Sequence, residues 1–243
     1  MYVYLYDKAT KDPHYESMLA AIETRLIEFG MNGKVERLTV YKDLDRVIEQ
    51  HVKKGARTVV AVGDDATLRG AMQACWNHDV TIGFIPLKKT VWADRLRLPV
   101  GVEAVDVLSK RLTRSLSVGL TKNFPILEEC DFTATADAWV RCDDEFTITF
   151  TQDSLCRIIN ESTQDIDNEE HARMFRIVVT PLKNSRFKKK KHTESTFFTR
   201  SCMVSTSTNA IPLSIDGVHE IQSPAELTLY RKHLDIVVGK SAV

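Results

Sequence analysis

No C-x-x-C pair occurs in this sequence, and its five cysteines (Cys75, Cys130, Cys142, Cys156 and Cys202) are odd in number and widely scattered. That spacing argues against a disulfide framework or a cysteine-based zinc site, and free thiols in a reducing cytosol are the economical reading. The seven histidines add no metal-ligand spacing. No apolar run approaches the roughly 20 residues that a membrane-spanning helix requires. The N-terminus, MYVYLYDKATKD, has no basic region before its short apolar run, so it does not read as a signal peptide. A cytoplasmic protein is expected. Charge of one sign is also missing, since 33 basic and 33 acidic residues give a formal net charge of zero. Any contact with nucleic acid or membrane must then come from a local patch. There is no G-x-S-x-G nucleophile elbow, and GDDAT (Gly63 to Thr67) lacks the downstream lysine of a P-loop.

What is present is a chain of 243 residues whose two halves have different hydrophobic periods. In the first half, short apolar runs alternate with helical stripes. YVYLY (Tyr2 to Tyr6), KVERLTV, TVVAV (Thr58 to Val62), VTIGFIPL and LSVGL (Leu116 to Leu120) read as strands. Between them Tyr15, Met18, Leu19, Ile22, Leu26 and Phe29, then Leu44, Val47, Ile48 and Val52, then Leu68, Ala71, Met72 and Cys75, then Val102, Val105, Leu108 and Leu112 mark helices. Asp12 and Pro13 suit the start of the first. Strand and helix in regular alternation predict βαβ units on a parallel sheet. From about Thr121 the pattern becomes period two, as in Phe146-Ile148-Phe150, Phe175-Ile177-Val179, Ile211-Leu213-Ile215, Leu227-Leu229 and Leu234-Ile236-Val238. That predicts an antiparallel β domain. The expected division is an α/β domain over 1–120 and an antiparallel β domain over 121–243.

Parallel sheets bind ligands at the carboxyl ends of their strands, in the loops after strands three and four. After the third strand come Gly63, Asp64, Asp65, Ala66 and Thr67, and a helical pattern follows at once. Two acids thus occupy a turn where an α/β protein would receive phosphate. Asp64 is also well suited to cap that helix. After the fourth strand come Lys88 and Lys89, which could meet phosphate as point charges or lie solvated. Trp92 is expected in the core, with stacking on a base as the alternative.

Three stretches in this order resemble the diacylglycerol kinase catalytic-domain family, which includes sphingosine kinases and bacterial lipid kinases and is related to the NAD kinases. That family's third-strand turn reads G-G-D-G-T-L-N-E; here it is Gly63-Asp64-Asp65-Ala66-Thr67-Leu68-Arg69-Gly70. Its fourth strand leads into I-P-x-G-T-G-N-D-F-A-R, against Ile85-Pro86-Leu87-Lys88-Lys89-Thr90-Val91-Trp92-Ala93-Asp94-Arg95. Its late D-G-E corresponds to Asp216 and Gly217, with Val218 where the glutamate is expected. The resemblance implies an NAD kinase/diacylglycerol kinase-like fold, ATP with Mg²⁺ as cofactor of a working site, and a lipid hydroxyl as acceptor. It implies a nucleotide site made of Gly63, Asp64, Asp65, Ala66, Thr67, Lys88, Lys89, Asp216 and Gly217, with Asp65 toward the metal. The family's general base falls somewhere in Asp165 to Glu170, and no catalytic residue is assigned.

The departures bear on activity. Glycines in the family's loops let backbone N–H groups approach phosphate, and most are replaced here. A carboxylate about 4 Å from a phosphate oxygen opposes binding by roughly 4 kcal/mol at an effective dielectric near 20. The expected function is a degenerate lipid-kinase-like protein, weak or inactive in phosphoryl transfer, that still binds nucleotide or lipid. One alternative is an active kinase in which Lys88 and Lys89 replace the glycine loop. The other is a scaffold that assembles through sheet edges, as a homo-oligomer, and binds anionic surfaces. For the last, KNSRFKKKKH (Lys183 to His192) has six bases and no acid. Phe187, Lys188, Lys189, Lys190 and Lys191 would suit an anionic membrane, giving peripheral attachment. The nearby acidic segment Glu161 to Glu170 is expected to be a loop, and no motif supports nucleic-acid binding.

Overall fold

The computed structural model describes residues 1–38, 43–122, 124–164, 173–182 and 194–240, without the side chains of 231–233. The chain divides into two units, Met1–Leu116 with Lys232–Val243, and Ser117–Arg231. No helix among the described residues is long and apolar enough to cross a membrane.

The first unit contains β1 (Tyr2–Tyr6), α1 (Glu16–Glu28), β2 (Gly33–Arg37), α2 (Leu44–Lys53), β3 (Thr58–Gly63), α3 (Asp65–Cys75), β4 (Thr81–Pro86), α4 (Val91–Arg95) and α5 (Val102–Lys110). Its strands are parallel in the order β2-β1-β3-β4, and the tail of the long last strand adds beside β4. Strands β3 and β4 are buried almost throughout, because helices cover both faces. Right-handed crossovers put α1 on one face and α2 and α3 on the other, since the chain moves one way from β1 to β2 and the opposite way to β3 and β4. Leu19, Ile22 and Leu26 of α1 and Ala104, Val105 and Leu108 of α5 share a core with Tyr4, Tyr6, Val60 and Val62. Asp12 caps a short 3-10 turn, Pro13–Tyr15, that leads into α1. Leu112 lies past the end of α5 and is exposed, so the fourth helical stripe is one turn shorter than its apolar pattern.

The second unit is antiparallel. Strand β5 (Thr113–Thr121) enters it and pairs with β6 (Phe124–Ile126). Then follow β7 (Glu129–Ala134), β8 (Ala138–Cys142), β9 (Phe146–Thr149), β10 (Ser154–Asn160), β11 (Phe175–Pro181), β12 (Ser195–Thr199), β13 (Ser201–Thr206), β14 (Pro212–Ile215), β15 (His219–Gln222) and β16 (Ala225–Val237). One sheet has the order β12-β11-β10-β7-β14-β15, and a second ladder runs β16-β13-β8-β9. Alternate residues from both, among them Phe132, Cys156, Ile158, Phe175, Ile177, Val204 and Leu227, fill one core. Asn160 ties β5, β6 and β10 together there, donating to the carbonyls of Ser117 (2.8 Å) and Ile126 (3.2 Å).

The units differ from the expected 1–120 and 121–243 at the C-terminus. Leu227 to Val237 forms one strand, not two. Its start pairs antiparallel with β13, and Asp235 and Ile236 pair parallel with Thr81 and Ile82 of β4. A period-two stripe specifies a strand but not the direction of its partner.

All five cysteines are free and buried. Burial pushes their thiols up, to about 12 for Cys75 and Cys156 and about 11 for Cys142. The thiolate is the reacting form. Native protein at pH 8 is therefore expected to leave all five unlabelled by a maleimide within minutes, and urea should expose all five to it. Fast labelling of any one in the native state would contradict their burial.

Candidate functional site

Strand order 2-1-3-4 reverses between β1 and β3, and in such sheets the ligand crevice opens there, at the carboxyl ends. At that point lies a shallow recess with about 230 Å³ of empty space, part of it open to solvent, lined by Asp7, Ala9, Tyr15, Gly63, Asp64, Leu87 and Lys88. Asp7, Tyr15 and Leu87 escape a reading of the sequence, because only the strand order brings the end of β1 beside the end of β3. The one available sign is that Asp7 directly follows the first apolar run.

The acids that line the recess, Asp7 and Asp64, and the adjacent Asp65 each have a partner within the chain. Asp64 is the N-cap of α3, and its Oδ1 accepts from the N–H groups of Ala66 (3.1 Å) and Thr67 (3.2 Å). Asp65, the first residue of α3, accepts a long hydrogen bond from the N–H of Trp92 (3.3 and 3.4 Å to its two oxygens). Thr90 caps α4 by accepting from the N–H of Ala93 (3.1 Å). Asp7 accepts from the N–H of Ala9 (2.9 Å) through one oxygen and from the Thr67 hydroxyl (2.7 Å) through the other. Both short helices thus have first-turn N–H groups facing oxygens that the protein supplies.

The basic residues diverge. Lys88 stays at the recess, with Nζ 4.0 Å from Asp64, while Lys89 turns to Asp94 at 3.8 Å. Both pairs are exposed and contribute little to stability. Trp92 is buried, with the Arg95 guanidinium 5.4 Å from its ring, and its indole N–H has no acceptor among the described residues. Gly63 is a glycine for packing: a Cβ there would lie 2.7 Å from the Asp7 Cβ and 2.9 Å from the Thr67 hydroxyl.

Asp216 and Gly217 belong to the other unit, in the turn between β14 and β15. Both have positive φ, 51° and 65°, as primed hairpin turns require. The Asp216 side chain is buried and accepts from the N–H groups of Leu127 (2.9 Å), Glu128 (2.8 Å) and Glu129 (2.9 Å). It holds the turn from β6 to β7. Val218 is 59% exposed, so the position where the family has a glutamate faces solvent. The candidate membrane residues Phe187 to Lys191, and the segment Asp165 to Glu170, lie outside the described residues. No group of metal-ligating side chains occurs among the described residues.

No protein-family model matches the chain, and no curated protein matches it by sequence. Its fold does match solved structures. A diacylglycerol kinase from Bacillus anthracis str. Sterne superposes with a TM-score of 0.76 over 98% of this chain and 96% of its own, at 10% identity. Two further structures from the same strain, both assigned as diacylglycerol kinases, give TM-scores of 0.75 and 0.76 over 98% of this chain and 97% of theirs, each at 12% identity. The fold is therefore that of the diacylglycerol kinase-like proteins, over their full length.

Proposed function

We propose that this protein is a lipid-kinase-like chain that is weak or inactive in ATP-dependent phosphoryl transfer and acts by binding, in the cytoplasm or at a membrane surface. One observation carries the reading: the helix N-termini that would cradle phosphate are already occupied by the chain's own Asp64, Asp65 and Thr90. A helix start attracts anions through unpaired N–H groups and its dipole. Here two carboxylates and the Thr90 hydroxyl accept from those groups, and the carboxylates add negative charge. Phosphoryl transfer relies almost wholly on positioning and charge stabilisation, so such a turn opposes both.

Asp65 is the residue suited to a metal role, through the oxygens it turns toward α4, and Mg²⁺ with ATP would supply the phosphoryl chemistry of a working site. Lys88 offers one point charge toward a phosphate at the recess, which is the feature in favour of an active kinase. The test is a thermal melt with and without Mg-ATP, followed by transfer of labelled phosphate from ATP to a diacylglycerol or sphingoid lipid. Ligand at about 100 times its Kd raises stability by about 2.7 kcal/mol, or about 5 to 10 °C for a chain of this size. No shift is expected at about 10 mM Mg-ATP. A shift of several degrees together with lipid phosphorylation abolished by Asp65→Ala would replace this reading with an active kinase. Binding through Phe187 and Lys188 to Lys191 predicts sedimentation with anionic vesicles that salt reverses and that neutralising the four lysines removes.

A further inference from the structure

Strand β2 ends the sheet of the first unit, and no described residue pairs with its outer edge. Gly33, Lys34, Val35 and Arg37 are exposed, and only Glu36 is half-buried. The register with β1 and the bond from Leu38 N–H to Tyr6 C=O (2.8 Å) set the phase of the ladder. In a parallel ladder each residue turns both backbone groups to the same side, alternately. Lys34 and Glu36 therefore bond to β1, while Gly33, Val35 and Arg37 turn outward N–H and C=O groups that no described residue bonds. Such an edge is a template for another strand.

Charges normally blunt an edge, but the sign pattern of GKVER is self-complementary. We infer that β2 pairs antiparallel with β2 of a second copy of this chain, about a two-fold axis through Val35. Val35 then exchanges both backbone hydrogen bonds with its counterpart, and Gly33 does so with Arg37 of the second copy. Lys34 lies directly opposite Glu36 of the second copy at a non-hydrogen-bonded position, where side chains approach closest. The axis repeats this pair. Sliding the strands by two residues sets lysine against lysine or glutamate against glutamate, which is destabilising. Sliding by one residue faces the edge with groups already bonded to β1. Charge and phase thus select one register. The Glu36 carboxylate is pre-oriented by His51, whose Nε2 lies 2.8 Å from it. Val35, 48% exposed, covers its own counterpart. The same two-fold contact is isologous and closes as a dimer.

Sedimentation velocity over a wide concentration range tests this on the full chain. A monomer–dimer equilibrium is expected for the wild type. Val35→Pro removes only an outward N–H, leaves the bonds to β1 intact, and should weaken association at least tenfold. Lys34→Glu and Glu36→Lys should each be monomeric alone, since each sets like charges opposite one another. Mixed one to one, they should form a heterodimer, because every cross-strand pair becomes opposite in sign. Circular dichroism and melting curves establish that each variant is folded, and the charge swap stands if the proline variant is not. A wild type that stays monomeric, or a dimer indifferent to both charge variants, would overturn the proposal.

Discussion

Asp216→Ala is expected to lower stability by about 3 to 5 kcal/mol. Three backbone N–H groups, of Leu127, Glu128 and Glu129, point at this one carboxylate. Leaving a buried donor unpaired costs about 1 to 3 kcal/mol, and water entering the space recovers part of the sum. The backbone adds to the loss, because φ is 51° at Asp216 and alanine has no side-chain oxygen to favour that conformation. Two further variants separate the terms. Asp216→Gly removes the carboxylate but relieves the backbone, so it should be about 1 kcal/mol less damaging than alanine. Asp216→Asn keeps one acceptor oxygen and tolerates positive φ, so it should fall between wild type and alanine. Urea titration measures the total, and hydrogen exchange of the peptide containing Leu127 to Glu129 locates it. If Asp216→Ala melts with the wild type, the carboxylate does not hold that turn.

Gly63→Ala is the second, expected to cost about 2 to 3 kcal/mol by overpacking. The added methyl would meet the Cβ of Asp7, which cannot move without shifting the end of β1, and the Thr67 hydroxyl. Thr67 can rotate away only by giving up its bond to Asp7. The loss should appear in exchange of β1 and β3 amides whether or not nucleotide is present. Thr67→Ser keeps the hydroxyl and should cost far less. A Gly63→Ala protein of full stability that differs only in nucleotide binding would assign this glycine to a ligand instead of to the packing of two strands.

Both predictions concern residues that a motif reading assigns to nucleotide. In the fold each has a structural partner: Gly63 admits Asp7, Asp64 caps α3, Asp65 holds the start of α4, and Asp216 anchors the turn after β6. A polar residue at the carboxyl end of a strand can serve a helix start or a ligand with the same atoms. The dimer inferred at β2 lies away from this question, since it uses the edge of the sheet and not the ends of its strands.

What the sequence by itself determined was the class of architecture: the change of hydrophobic period near Thr121 and the four βα alternations before it. Local patterns suffice for these because a strand or helix needs only its own periodicity and caps to declare itself. The tertiary structure alone decided three things. It returned the end of β16 to the first unit, beside β4. It brought Asp7 to Gly63 and Thr67 across sixty residues of chain. It also assigned Asp65 to the N–H of Trp92. Each is a pairing between distant segments, and a side-chain pattern records which face is buried without recording what buries it.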